Sequence, residues 1–95
     1  MAREITEQEE ILNLTLSAIA DTEIVFEKDV LSVAIRNRGT SDLEYRVKEG
    51  GTSYFTIPLG TTFTRDFSRY ATKNAGWLRA AAGTGPAEIV GALVP

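Results

Sequence analysis

LSVAIRN (residues 31–37) and LEYRVK (residues 43–48) decide the fold. Leu31, Val33 and Ile35 alternate with Ser32, Ala34 and Arg36; Leu43, Tyr45 and Val47 alternate with Glu44, Arg46 and Lys48. A side-chain period of two is the signature of a strand with one face buried. Asn37-Arg38-Gly39 ends the first run, and Glu49-Gly50-Gly51-Thr52 supplies a tight turn after the second. Two such strands, expected as neighbours, make the centre of a sheet.

The same period extends in both directions. Toward the N-terminus, Leu12, Leu14, Leu16 and Ala18 alternate with Asn13, Thr15 and Ser17, and Asp21-Thr22 interrupts them. Residues 23–27 read as a short strand, closed by a turn at Lys28-Asp29. Toward the C-terminus, residues 54–57 form a strand that leaves through Pro58-Leu59-Gly60. Proline has no ladder donor and suits a strand end, and glycine can take the positive φ of a turn. Residues 61–67 follow as a strand, and the aromatics on both sides of the turn are expected to plug the core. Residues 68–75 lack the period and read as a loop. Residues 77–82 form a strand, 83–86 a turn and 87–94 the last strand. Eight short strands bounded by turn residues predict an all-β fold, an antiparallel β-sandwich of immunoglobulin-like or jelly-roll-like kind.

Composition narrows the chemistry. A chain of 95 residues is one domain, burying roughly 60–65% of its unfolded surface. It has no Cys and no His, so thiolate chemistry, disulfides and the usual general base are absent. No apolar run reaches the ~18 residues needed to span a bilayer. The N-terminus has no apolar signal-like core, so the chain is expected to stay where it is made or to leave inside an assembly.

Charge is concentrated at one end. Residues 1–10 set Arg3 against Glu4, Glu7, Glu9 and Glu10, and the remaining bases and acids balance. This divides the chain into an acidic N-terminal arm, residues 1–10, and one sandwich domain, residues 11–95. The arm either frays in solvent or orders on a partner. On the second reading Arg3, Glu4, Ile5, Glu7, Glu9 and Glu10 are candidate partner contacts. Trp77 is read as core between the sheets or, alternatively, as an anchor for a subunit contact, with Ala80, Ala81 and Ala82 allowing close approach.

Other constellations reduce to structure. Gly83-Thr84-Gly85 is followed by Pro86 and an alternating strand, whereas a phosphate loop needs a helix there. The sequon Asn13-Leu14-Thr15 lies inside a strand. Asp21, Glu23, Glu27 and Asp29 around Lys28 read as a solvated turn, although such oxygens could hold a weakly bound calcium ion. Asp66 has Arg65 and Arg69 to offset its charge, and no lysine stands in a nucleophile–base motif. Arg36, Arg38, Arg46 and Lys48 fall on outward positions and read as cross-strand ion pairs on a wet face; Glu44 and Glu49 interrupt them, which argues against nucleic acid. No enzyme, cofactor or metal site is expected.

In order, Val33 to Gly39, Leu43 to Val47, Ile57-Pro58-Leu59-Gly60, Phe63, Asp66-Phe67, Trp77-Leu78-Arg79-Ala80 and Glu88-Ile89-Val90 resemble the small β-sandwich virion proteins of tailed bacteriophages, the head decoration (cement) or minor structural proteins. The resemblance covers residues 30–93. It implies a non-enzymatic protein made in the host cytoplasm and carried on the capsid surface. Such a protein binds the major capsid protein or other virion proteins, commonly as a homotrimer, and stabilises the head. A tail or head–tail connector component is the competing role within that class. An immunoglobulin-like carbohydrate- or protein-binding module is the alternative outside it.

Overall fold

A computed structural model describes residues 2–67 and 70–95, and the described chain is all-β. Its strands are β1 (Ala2–Ile5), β2 (Glu9–Ser17), β3 (Thr22–Asn37), β4 (Leu43–Arg46), β5 (Phe55–Ile57), β6 (Thr62–Asp66), β7 (Thr72–Ala80) and β8 (Thr84–Leu93). They pair antiparallel in the order β1-β2-β8-β3-β7-β4-β5, with β6 also on β3. Eight strands are expected and eight are found, but they are not the same eight. Residues 2–5 add one, and the two strands foreseen on either side of Lys28-Asp29 are one strand of 16 residues.

The long strand β3 organises the molecule. Residues 30–37 have β8 along one edge; along the other edge β7 reaches Val30, and β6 pairs residues 32–36. Residues 22–30 pair with β7, which carries β4 and then β5 beyond it. The sheet therefore folds on itself into two layers. One is β1-β2-β8-β3-β6 and the other is β3-β7-β4-β5, with β3 common to both. Leu12, Leu14 and Leu16 of β2 share one buried cluster with Ile24, Phe26 and Ile35 of β3, Leu43 and Tyr45 of β4, and Leu78 of β7. Each such side chain, fully buried, contributes roughly 1.5–3 kcal/mol.

The alternation along β3 changes phase midway. Ile24, Phe26 and Val30 are buried on even positions; Val33, Ile35 and Asn37 are buried on odd ones. The register against β8 slips between Val30 and Ser32. An inserted residue moves every later side chain to the opposite face, so one strand feeds the same core from both layers. The turn expected at Lys28-Asp29 falls in the stretch just before this slip, where the register against β7 shifts between Val25 and Val30 and residues 27–29 are exposed but the chain does not reverse.

A second irregularity lies in β7, where the register against β3 shifts between Glu23 and Val25. Gly76 there has φ +107°, and a Cβ on it would sit 2.7 Å from the Arg46 carbonyl oxygen and 2.8 Å from the Tyr45 ring. Only glycine accepts both the angle and the approach. Ala75 and Gly76 are consecutive buried residues, which breaks the period of two. That is why the loop expected over 68–75 is strand from Thr72 onward. Ser68 and Arg69 lie outside the described residues. The turn at Pro58-Leu59-Gly60 stands where it is expected, with φ +76° at Gly60 and Thr61 N donating to Pro58 O at 3.1 Å.

Candidate interaction surface between the layers

Residues 2–10 do not form a separate arm. Thr6 Oγ1 accepts from the amides of Gln8 (3.3 Å) and Glu9 (3.1 Å) and closes a tight turn. The turn folds β1 back along β2, in register from Ala2 opposite Asn13 to Ile5 opposite Glu10. Glu10 occupies the same phase as Leu12, Leu14 and Leu16 and is completely buried. Its carboxylate accepts from the backbone amides of Glu27 (2.7 Å) and Lys28 (3.1 Å) and lies 3.1 Å from Arg3 Nη1. Arg3 Nη2 donates to Val25 O at 3.2 Å. The two side chains thus close the edge of β3 beyond the point where β8 ends. A buried charge survives only when it is paired and hydrogen-bonded, and both conditions hold here.

The candidate contacts therefore divide. Arg3 and Glu10 are engaged inside the molecule. Glu4, Glu7 and Glu9 are exposed and Ile5 is 38% exposed. The buried phase of Glu10 was readable in the alternation of residues 10–16, but its acidic neighbours suggested an arm instead.

Trp77 is not in the core. It is half-buried on the outer face of β7, in register with Glu23 and Arg46, and Leu78 takes the core position. The shift at Gly76 sets this phase. Beside Trp77, the Arg46 guanidinium is held by Asp21 (3.5 Å) and Glu44 (2.9 Å), donates from Nε to Gly51 O (2.8 Å) and lies 5.0 Å from the Tyr54 ring centre. Asp21 also binds Arg79 Nε (3.1 Å) and the Gly50 amide (3.0 Å). These bonds pin the segment between β4 and β5 against the sheet. Arg36 and Arg38 make cross-strand ion pairs as expected, meeting Glu88 of β8 at 3.6 and 3.3 Å. However, β7 separates β3 from β4, so the two strands are not the neighbours expected, and Arg46 is buried rather than outward. Among the described residues, no group of three or more acids is placed to hold a metal ion.

The open surface lies where the two layers end. Among the described residues β5 pairs only with β4 and β6 only with β3, and Pro58-Leu59-Gly60 carries the chain between these two edges. The aromatics here only partly plug the core. Ile57 is buried, but Tyr54 is 49% and Phe55 55% exposed. Phe55 stacks on Phe63 at 5.7 Å, and Phe63 meets the buried Tyr45 at 5.4 Å. Arg65 Nη1 donates to Tyr45 Oη at 2.8 Å, and its guanidinium covers the Phe67 ring at 5.1 Å. Tyr45 Oη in turn donates to Ala75 O. Val47, Arg65, Phe67, Tyr70 and Gly76 line an open groove of about 400 Å³, with Val47 53% and Tyr70 78% exposed.

Sequence reasoning missed Val47 and Tyr70. Val47 keeps the apolar phase of Leu43 and Tyr45, but β4 stops at Arg46 and leaves it in solvent. Tyr70 lies in a stretch with no period to place it. Comparison with models of protein families and with curated proteins finds no match to this chain.

Proposed function

We propose that this chain is a non-enzymatic structural protein of a virion, a capsid decoration protein that binds shell subunits and copies of itself through its surface. The reading rests on the open seam where the layers end: Val47 and Tyr70 line one groove with Arg65 and Phe67, Phe55 stacks on Phe63 of β6, and Val47, Phe55 and Tyr70 are each more than half exposed. Exposed apolar side chains grouped in this way mark candidate sites of association, and aromatic side chains are among the commonest anchors of interfaces. The buried acids point the same way. Glu10 and Asp21 are occupied by arginines and backbone amides, so their chemistry is spent on holding the fold. The reading calls for no cofactor, nucleic acid or membrane. Its partner is the major capsid protein or another virion protein, with many weak contacts made tight by multivalent attachment.

The alternative of a carbohydrate-binding module draws on the same exposed rings, Tyr54 beside Arg46 above all. One set of measurements separates the two. Purified protein should co-sediment with phage shells, and Tyr70→Ser with Val47→Ser should abolish that while leaving the circular dichroism unchanged. Failure to bind shells, together with saturable binding on a glycan array, would replace decoration with the module.

A further inference from the structure

We propose that β6 is a dimerisation edge, pairing antiparallel with β6 of a second copy of this chain about a two-fold axis at Phe63. The inference does not depend on the capsid reading. Strands at sheet edges invite pairing unless they are short, charged with lysine, bulged, or interrupted by proline. β5 is three residues long and stops at Pro58, and β1 is four residues long with its Arg3 side chain taken up by Glu10 and Glu27, whereas Arg65 of β6 turns inward to Tyr45 Oη. β6, Thr62-Phe63-Thr64-Arg65-Asp66, has no proline, lysine or register slip against β3 and is rich in strand-forming residues.

Its hydrogen bonding shows which groups remain. Phe67 N donates to Leu31 O (2.9 Å) and Asn37 N donates to Thr61 O (3.0 Å). Odd-numbered residues of this segment therefore bond to β3. By the alternation of an antiparallel ladder, the N–H and C=O groups of Thr62 and Thr64 point to the open edge.

Placing Phe63 on the axis sets Thr62 opposite Thr64 of the second copy, so that each pair exchanges both of its backbone bonds. Phe63 then faces its counterpart at a non-hydrogen-bonded position, where Cα atoms approach to about 4.5 Å and the rings meet. Phe63 already stacks on Phe55, so the aromatic clusters of the two copies become one and cover Phe55. Arg65 lies opposite Thr61, and no charge faces its like. The pairing is isologous and closed, which makes a dimer where the family resemblance implies a trimer.

Sedimentation equilibrium of the full chain tests this. The wild type should be a dimer. Thr62→Lys with Thr64→Lys changes two exposed side chains, sets ammonium against ammonium across the axis, and should give a folded monomer. Thr62→Lys with Thr64→Glu sets ammonium against carboxylate and should restore the dimer, which a general loss of folding would not do. Thr64→Pro removes an N–H that β3 does not use and should also give the monomer. A wild type that is monomeric at millimolar concentration, a trimer, or a dimer indifferent to both lysines would overturn the proposal.

Discussion

Two edges of this sheet are treated in opposite ways. The first half of β3 loses its neighbour where β8 ends, and the backbone groups left over are taken up by Arg3 and Glu10. The edge of β6 receives no such cover at Thr62 and Thr64 from the described residues. The closed edge costs the molecule a fully buried carboxylate and a strand to carry its arginine partner. The open edge costs only exposed threonines. The difference teaches where association is to be sought, because a protein this small has little surface that it neither fills nor guards.

The comparison breaks most readily at the closed edge. Deleting residues 1–5 removes β1 and leaves the Glu10 carboxylate buried without its cation. Arg3 is partly exposed and Glu10 keeps its two amide bonds, so the loss lies at the low end of the range for a buried pair, about 3 kcal/mol, and each kcal/mol lowers Tm by about 4–8 °C in a domain of this size. A thermal melt that barely moves would show that residues 1–5 are the frayed terminus considered for them. Glu10→Leu should be next, about 2–4 kcal/mol by urea unfolding. It leaves the Glu27 and Lys28 amides unsatisfied at about 1–3 kcal/mol each, part of which the added apolar burial offsets. Gly60→Val, at the corner leading into the open edge, should cost about 1–2 kcal/mol for a branched residue held at positive φ. There is open space around the added Cβ, so a neutral result would mean that the turn adjusts. The smallest effect belongs to Thr64→Lys, within about 0.5 kcal/mol as for ordinary exposed positions. A large loss there would mean that the β6 edge is already engaged within the monomer.

How much of this was legible in the sequence follows from where the period of two is kept. β2, the second half of β3, β4 and β8 follow it, and their apolar positions Leu12, Ile35, Tyr45 and Ile89 are core. Proline and glycine at 58–60 marked a real turn. Legibility failed at the two irregular stretches, one in the middle of β3 and one at Gly76 of β7. The one in β3 looked like a turn because Glu27, Lys28 and Asp29 are consecutive charges. The one at Gly76 moved Trp77 to the outer face and disguised Thr72–Ala75 as a loop. In both places a contact distant in sequence meets the irregular backbone, the Glu10 carboxylate in one and the Tyr45 ring in the other. The alternation of residues 10–16 buries Glu10, but local pattern does not say which backbone it meets. The seam was legible only as an excess of aromatics, since exposure depends on which strands lack neighbours.

The sharing of β3 bears on how the molecule comes apart. Neither layer owns a complete set of strands, so melting one strips the other of its centre and no half-folded species retains a core. Amide exchange at Ile24 and at Ile35, in different layers, should report one and the same opening free energy, that of losing the whole fold.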